Sequence, residues 1–229
     1  MLDVILDSPL SPWLQHDIDA TDHIVISSRI RLARNFDGVF FTNRNDMSSL
    51  EKVNSISRSL LKPLKDVDGH QYSNINLEQL SQGERAVLVE KHLMSPALEE
   101  KLPYRNLVVS DDASIVIMVN EEDHLRIQSM ASGLQLQQAY DRAVKIDKVI
   151  ESKHPYAFDE RFGYLTACPT NVGTGLRASV MLHLPALTIS GKITRLIRSI
   201  IQLGYSVRGL YGEGSEALGY SEGQKNVNA

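Results

Sequence analysis

Cysteine is almost absent from this chain of 229 residues: Cys168 stands alone, so no disulfide can form within the chain. Such sparse use of cysteine is typical of a reducing compartment. Long hydrophobic runs are also missing, and no apolar stretch reaches the roughly 20 residues that span a bilayer. The first 28 residues contain no lysine or arginine, so the basic start of a secretory signal is lacking. We therefore expect a cytoplasmic protein without a membrane-spanning segment.

A global basic field is absent as well. The 24 lysines and arginines are outnumbered by 28 aspartates and glutamates, which gives a net charge of −4. Stacking residues are few, with one tryptophan and five phenylalanines. Both facts argue against a nucleic-acid-binding module that uses a charged, aromatic surface. Any site for an anion must therefore be local.

The hydrophobic periodicity predicts an α+β fold, in which helices flank an antiparallel sheet. We expect an acidic leader over 1–22 anchored by Trp13, one main domain over 23–219, and a polar tail over 220–229 without regular structure. Strands are predicted at 23–33, 113–120, 124–130, 163–169 and 176–184, and from 205 onward. Helices are predicted at 47–62, 77–93, 134–152 and 189–204, the last with Ile189, Ile193, Leu196 and Ile200 on its buried face.

Arginine recurs on the strand faces that point away from the predicted core. Arg29 and Arg31 lie two positions apart in the first strand. The same alternation places one arginine in each of three later strands, at Arg126, Arg177 and Arg208. One face of an antiparallel sheet can carry a site while the other packs on the core, so all five would converge. Guanidinium groups match phosphate oxygens in pairs, and the pattern predicts a polyphosphate site; the alternative is a set of ordinary surface or ion-paired arginines.

Carboxylates and glycines accompany the arginines. Residues 120–126, "NEEDHLR", place three carboxylates at a predicted hairpin tip, and Glu213 lies between two glycines in "RGLYGEGSEALG". The stretch "CPTNVGTG" (168–175) ends a predicted strand with glycines that allow a close backbone approach to a ligand. The alternatives are a solvated turn for the first segment and a flexible acidic loop for the second.

Four segments, in this order, resemble the catalytic domain of the ATP:guanidino phosphotransferases, the phosphagen kinase superfamily. They are "SSRIRLARN" (27–35), "NEEDHLRI" (120–127), "CPTNVGTGLRASV" (168–180) and "RGLYGEGSEALG" (208–219). The resemblance covers about 24–219. "VEKHLMSP" (89–96), "GLRASVMLHLP" (175–185) and "GLYGEGSEALG" (209–219) are most similar to the bacterial protein-arginine kinase branch. Only 26 residues precede Ser27, which suits an open site for an arginine displayed on a protein.

The resemblance implies roles for individual residues. Glu122 and Glu213 would engage the substrate guanidinium, and Cys168 would lie beside it; the alternative for Cys168 is a small buried hydrophobic side chain. The nucleotide positions would be Ser27, Ser28, Arg29, Ile30, Arg31, His92, Arg126, Arg177, Ala178, Ser179, Val180, Met181, Arg208, Gly209, Leu210, Tyr211, Gly212 and Glu213. No dedicated metal motif is expected, and we interpret His124 and His183 as structural.

The resemblance also implies an activity. The chain would transfer the γ-phosphoryl group of ATP to arginine side chains of proteins, with Mg²⁺ held largely through phosphates and water. The implied partners are protein substrates with exposed arginines, among them a heat-shock repressor and a Clp-type protease system, so that the mark would direct proteolysis and the stress response. An activator protein and a homodimer belong to the same expectation.

Two departures from the family pattern leave alternatives open. Small-substrate kinases usually have a basic residue two positions before the second glutamate, where this chain has Tyr211. The family domain continues after "SEALG" through further sheet and helices, whereas this chain ends with "YSEGQKNVNA". We therefore expect a domain that is incomplete at its C-terminus. The alternatives are a catalytically impaired remnant or adaptor, and a phosphagen kinase for a small guanidino substrate.

Overall fold

An eight-stranded sheet in which every pair is antiparallel forms the centre of the computed structural model, which describes residues 2–14, 24–100, 102–208 and 220–226. The strands are β1 (Val25–Arg34), β2 (Tyr72–Asn76), β3 (Asn106–Ser110), β4 (Ile115–Val119), β5 (Leu125–Ser132), β8 (Leu176–His183), β9 (Ser206–Arg208) and β10 (Tyr220–Asn226), with a separate hairpin of β6 (Phe158–Asp159) and β7 (Gly163–Tyr164). The order across the large sheet is β2-β3-β4-β5-β1-β8-β10-β9.

Helices pack on both faces of the sheet. They are α1 (Leu2–Asp7), α2 (Met47–Ser59), α3 (Leu61–Asp68), α4 (Gln82–Glu90), α5 (Leu136–Lys153), α6 (Pro185–Ile189) and α7 (Ile193–Gln202). The predicted α+β class is confirmed. Within the described ranges, no helix is long and apolar enough to cross a membrane.

Two hydrophobic clusters hold the layers together. The first joins α2, α3 and α5 to one face, where Ile30, Leu32 and Ile127 point. The second joins α1, α4 and Trp13 to the opposite face, over β2, β3, β4 and part of β5. The arginine side of β1 and β8 is therefore left without a helical cover from the second cluster, and a cavity can form there.

Several predicted elements are confirmed with shifted ends. Strands β1, β4, β5 and β8 and helix α5 lie where the periodicity placed them. The helix predicted over 47–62 is divided between α2 and α3, because Pro63 lacks the N–H that a continuous helix would donate. The helix predicted over 77–93 begins with a 3₁₀ turn, Leu77–Gln79, before α4.

Other predictions about elements were wrong. Strands β2 and β3 were not predicted, and most of 163–169 is irregular, with only β7 at its start. The tail predicted to lack regular structure contains β10, which lies between β8 and β9. The predicted helix 189–204 is interrupted at Gly191, whose φ is +67°. Its predicted buried residues are not buried: Ile189 is 88% exposed.

Candidate active site

A cavity of about 380 Å³ opens on the arginine side of the sheet, between β1, β8, β9 and the β4–β5 hairpin. It is lined by four of the five predicted arginines and by two carboxylates. Its other residues are Ala33 of β1 and residues of the loops at 95–97 and 168–175. The members that bear chemistry are Arg31, Arg126, Arg177, Arg208, Glu121, Glu122 and Cys168. The structure therefore gathers residues that are up to 177 positions apart in the sequence around one space.

Strand register explains the convergence. Arg31 on β1 lies opposite Arg177 on β8, and opposite Gln128 on β5. Arg126 is two residues from Gln128 on the same strand, and therefore on the same face. Like charges directly opposite each other destabilise a sheet, so the pairing of Arg31 with Arg177 carries an energetic cost.

Arg29 lies on the same face of β1 as Arg31, two residues earlier. Its Nε donates a hydrogen bond to Ser179 Oγ at 3.3 Å. Burial, together with the charges of Arg126 and Arg177, lowers the pKa of Arg29 to about 10. Arg29 is therefore still charged at neutral pH, although burial and the neighbouring arginines make its positive charge unfavourable.

The pKa of Arg31 is lowered more than that of Arg29. Burial lowers its pKa well below the ordinary value, and Arg29, Arg126 and Arg177 lower it further, while Glu121 acts in the opposite direction. Its buried Nε and Nη2 atoms have no hydrogen-bond partner among the described residues. A guanidinium with unused donors among like charges is a ready site for an anion rich in oxygen.

His92 lies close enough to Arg29 for the guanidinium to influence it. Burial, and then the charge of Arg29, lower the pKa of His92 to about 4, so its imidazole is neutral at physiological pH. Its backbone has a φ of +58°, which is uncommon outside glycine, and its carbonyl accepts a hydrogen bond from Gln128 Nε2 at 2.7 Å. His92, which is predicted to contact the nucleotide, is thus held in place near Arg29.

Glu122 is presented to the cavity by the tight β4–β5 hairpin. Its side chain is 43% exposed, and one carboxylate oxygen lies 3.6 Å from Arg126 Nη2. Thr42 Oγ1 donates a hydrogen bond to the carbonyl of Glu122. The neighbouring His124 is held by the N–H of Phe36 and the carbonyl of Phe40, which confirms its structural interpretation.

Glu121, by contrast, points inward and neutralises Arg126. Arg126 Nη1 donates a hydrogen bond to Glu121 Oε1 at 2.8 Å, and Nη2 lies 2.7 Å from Oε2 as an ion pair. Ser95 Oγ donates to Oε1 at 2.8 Å. The side chain of Glu121 is 4% exposed. Glu121 therefore fixes the position of Arg126, and of the two adjacent glutamates only Glu122 extends toward solvent.

The segment that carries Cys168 is tied to the same hairpin. Asp123 Oδ1 accepts hydrogen bonds from the N–H of Ala167 at 2.7 Å and from Asn35 Nδ2 at 2.6 Å. Burial raises the pKa of Asp123. Cys168 Sγ lies 3.0 Å from Thr170 Oγ1, at the edge of the cavity, and is half-buried. The thiol is therefore accessible from the space that Glu122 faces.

Gly175 brings the start of β8 against β1. Its φ is +61°, and a Cβ there would lie 2.6 Å from both the carbonyl of Ala33 and Nη1 of Arg34. That same Nη1 donates to the carbonyl of Thr174 at 2.9 Å, while the rest of the guanidinium pairs with buried Asp147 on α5. Arg34 thereby anchors the glycine loop that forms one wall of the cavity.

Some predicted residues have side chains that do not face the cavity. Ile30 and Ala178 pack with the first hydrophobic cluster, and Val180 alternates to the same side. Ser28 Oγ donates to the carbonyl of Gly133 and accepts from the N–H of Gln135. These four side chains point away from the cavity because the period of a strand sends every second one into the core, and their predicted nucleotide contacts stay predictions.

Other predicted residues share the arginine face or lie outside the described ranges. Ser179 and Met181 alternate with Arg177 on β8, and Ser27 pairs with Met181 across to β1. Gly209, Leu210, Tyr211, Gly212 and Glu213 fall outside the described residues.

Sequence reasoning missed the residues that position the site. Glu121 and Asp123 were interpreted as part of one acidic tip, although they have separate partners in Arg126 and Asn35. Ser95 was not singled out. Alternation gave no signal that separates Glu121 from Glu122, because both lie in the turn between β4 and β5 rather than in a strand.

The fold and the cavity together define an α+β protein in which guanidinium groups from several strands converge beside an exposed carboxylate. Residues 52–222 match the family described as ATP:guanido phosphotransferase, C-terminal catalytic domain. The chain belongs to this family.

Curated relatives support the same family assignment. A protein-arginine kinase of Caldanaerobacter subterraneus subsp. tengcongensis is 47% identical over 206 residues, which are 90% of this chain and 60% of that protein. One of Bacillus mycoides is 47% identical over 220 residues, 95% of this chain and 61% of its own length. The chain thus spans about three fifths of these relatives.

The similar solved structures are phosphagen kinases. A duplicated taurocyamine kinase from Schistosoma mansoni, with bound transition state analog components, superposes with a TM-score of 0.73 at 28% identity, over 96% of this chain and 31% of that one. A lombricine kinase superposes with a TM-score of 0.72 at 25% identity, over 95% of this chain and 62% of that one.

Proposed function

We propose that this chain is an ATP-dependent protein-arginine kinase, which transfers the γ-phosphoryl group of ATP to a guanidino nitrogen of arginine side chains in proteins. One observation carries the proposal. Arg31, with unused donor atoms, lies among three further arginines in a cavity that Glu122 also lines. An anion-binding cluster and an exposed carboxylate on one cavity are the two parts that phosphoryl transfer to a cationic acceptor needs.

The arginine cluster would hold the triphosphate. Among the described lining residues there are four arginines and two glutamates, one of which is paired with Arg126. The remaining positive charge would offset phosphate charge and the charge that develops during transfer. Phosphoryl transfer depends mainly on positioning and on such neutralisation, so the protein needs no covalent intermediate.

Glu122 would hold the acceptor. An arginine side chain has a pKa above about 12, so its guanidinium is a poor nucleophile until a proton leaves. A carboxylate that pairs with the guanidinium orients one nitrogen toward the phosphoryl group and accepts that proton, a contribution of about 10²- to 10⁴-fold. Cys168 at the cavity edge, and Glu213 by its place in the family motif, would border the same guanidinium.

Mg²⁺ would be bound mainly through the nucleotide. Glu121 and Glu122 are the carboxylates that line the described part of the cavity, and Glu121 is occupied by Arg126. Among the described lining residues this leaves Glu122 as the carboxylate available to an ion, and Mg²⁺ prefers phosphate oxygens and water. The ion would supply additional neutralisation of the phosphates.

Proteins, rather than small guanidino compounds, are the proposed acceptors. The support is the identity of 45–47% to protein-arginine kinases, against 25–28% to the taurocyamine and lombricine kinases. The heat-shock repressor, the Clp-type protease system, the activator and the cytoplasmic location stay predictions that follow from the same resemblance.

A transfer assay tests the proposal. The chain, Mg-ATP labelled in the γ-phosphate, and an arginine-rich protein should give an acid-labile label on the acceptor. Glu122→Gln should reduce the rate by at least about 100-fold while the affinity for ATP changes less than about twofold. Glu160→Gln, on an exposed residue outside the cavity, is the matched control. Loss of both transfer and ATP affinity in Glu122→Gln would mean that Glu122 is structural, and no transfer by the parent chain would support a non-catalytic remnant.

A further inference from the structure

A second cavity, of about 560 Å³, lies on the other side of the catalytic hairpin. It shares Glu121 and Glu122 with the arginine-lined cavity, and its wall includes Ala167, the neighbour of Cys168. The two spaces therefore meet at the exposed carboxylate. Its volume is within the range of about 300–1,000 Å³ that is usual for ligand sites.

The second cavity differs in chemistry from the first. Its walls carry the exposed apolar side chains of Met47 and Leu102, which are 50% and 38% exposed, and the amides of Asn43 and Asn45. The described arginine on this side, Arg105, donates to the carbonyls of Asn120, Ala97 and Glu100. Apolar side chains with amides between them match a polypeptide, whose backbone offers N–H and C=O groups at regular intervals.

The walls of this cavity are held rigidly. Asn120 Nδ2 donates to the carbonyl of Leu50 at 2.9 Å and to that of Tyr104 at 2.8 Å, and so joins two walls. Three residues on or beside the rim have positive φ: Asn45 at +50°, Asn120 at +56° and Tyr104 at +61°. Such conformations cost energy and concentrate where a ligand is clamped.

The loop that bears Asn43 is linked directly to the catalytic residue. Thr42, in the same 3₁₀ turn, donates its hydroxyl hydrogen to the carbonyl of Glu122. A segment lying along this loop would therefore have its side chains next to Glu122, while the arginine-lined cavity remains free for the nucleotide.

We propose that this second cavity binds the extended polypeptide on one side of the target arginine, so that the arginine side chain reaches Glu122 from the opposite direction to ATP. The inference rests on the proposed function for its choice of acceptor. Three facts favour a polypeptide as the occupant. The cavity is continuous with Glu122, whose carboxylate attracts the guanidinium of the target arginine. Its walls also place apolar side chains next to amide groups, which suit the side chains and the backbone of a peptide. The peptide flank then contributes affinity that a free guanidino compound cannot gain.

Peptide binding and transfer, measured together, test the inference. The probe is a fluorescein-labelled nine-residue peptide with a central arginine, followed by anisotropy in the presence of Mg-ADP. The double variant Met47→Ser/Leu102→Ser should weaken peptide binding about tenfold and leave phosphorylation of N-acetylarginine amide unchanged. Leu134→Ser, at a residue 61% exposed and outside both cavities, should match the parent chain.

The two proposals fail in different ways. Parental peptide affinity in the double variant, or no peptide binding by the parent chain, would overturn the second cavity as the peptide site, whatever the transfer assay gives. Peptide binding that depends on Met47 and Leu102 without any acid-labile phosphate would support this inference and contradict the kinase activity.

Discussion

Arg31 and Arg177 lie directly opposite each other on neighbouring strands, an arrangement that costs stability in the absence of an anion. Arg29 and Arg126 add further positive charge to the same side, as the lowered pKa of Arg31 shows. A cluster of this kind is expected where function and stability conflict, because its charges are useful only when a ligand neutralises them.

Arg177→Gln should reveal that conflict. The variant should bind Mg-ATP at least about tenfold more weakly, because one charge-assisted contact to phosphate is lost. The same variant should melt at an equal or higher temperature without ligand, because a repulsive pair is removed. Calorimetric titration and thermal unfolding measure the two effects, with Arg195→Gln on the exposed side of α7 as control. Unchanged ATP affinity would remove Arg177 from the site.

His92 provides a prediction about pH. Its pKa is about 4 in the folded chain, against about 6.5 for an ordinary histidine, so below pH 6.5 the unfolded chain takes up a proton that the folded chain does not. Stability must therefore fall as the pH falls through this window. Between pH 7 and 5.5 the loss due to His92 should be about 1 kcal/mol.

Urea unfolding of His92→Gln and the parent chain at both pH values isolates this contribution, because the other titrating groups cancel in the comparison. The variant should lose less stability than the parent on acidification. Its loss will not vanish, since burial lowers the pKa of His124 as well. An identical loss in the two chains would show that His92 titrates normally.

At the scale of elements, alternation of apolar and polar residues predicted the strands that carry the site. Strands β1, β5 and β8 each have one face in the first cluster and an arginine on the other. Alternation could not predict β3, because "NLVVS" is buried on both faces and has no period. It also could not distinguish Glu121 from Glu122, since their separate directions depend on the partners Arg126 and Ser95, which come from other elements.

Helices α5 and α7 show where a helical pattern is informative and where it is not. Both have apolar residues at helical spacing, and in α5 these residues contact the sheet: Ile146 is fully buried. Helix α7 contains no buried residue, and Ile201 is 54% exposed. Sequence alone cannot show whether an apolar stripe meets another surface.

This difference has a measurable consequence for stability. Ile146→Ala should lower the free energy of unfolding by about 2–5 kcal/mol, because it leaves a cavity in the first cluster. Ile201→Ala should cost less than about 1 kcal/mol, because its side chain is already largely in water. Urea denaturation of both variants makes the comparison with the same chemical change. A large loss for Ile201→Ala would mean that α7 is covered in solution.

At the scale of the whole molecule, the second hydrophobic cluster determines where a site can exist. It covers the arginine side of the sheet over β2 to β5 and ends before β1 and β8. The arginine-lined cavity lies at that limit, and Glu121 and Glu122 of the β4–β5 hairpin lie between it and the second cavity. The sequence motifs indicated which residues would form the site, but this boundary depends on the packing of α1, α4 and Trp13.

The extent of the chain also belongs to this scale. It spans about three fifths of its curated relatives, and 31% and 62% of the two phosphagen kinases with which it superposes. The division of the chain at residues 22 and 219 stays a prediction. The proposed activity must accordingly be measured on this chain itself, since the relatives include further sequence.

Calorimetric titration of the chain with Mg-ATP and, separately, with AMP tests most directly whether the converging arginines are a polyphosphate site. ATP should bind at least about tenfold more tightly than AMP, and the difference should shrink as salt is added, because screening weakens contacts between guanidinium groups and phosphates. Equal affinities for ATP and AMP at low salt, or no binding of ATP by a chain that unfolds cooperatively, would contradict the account.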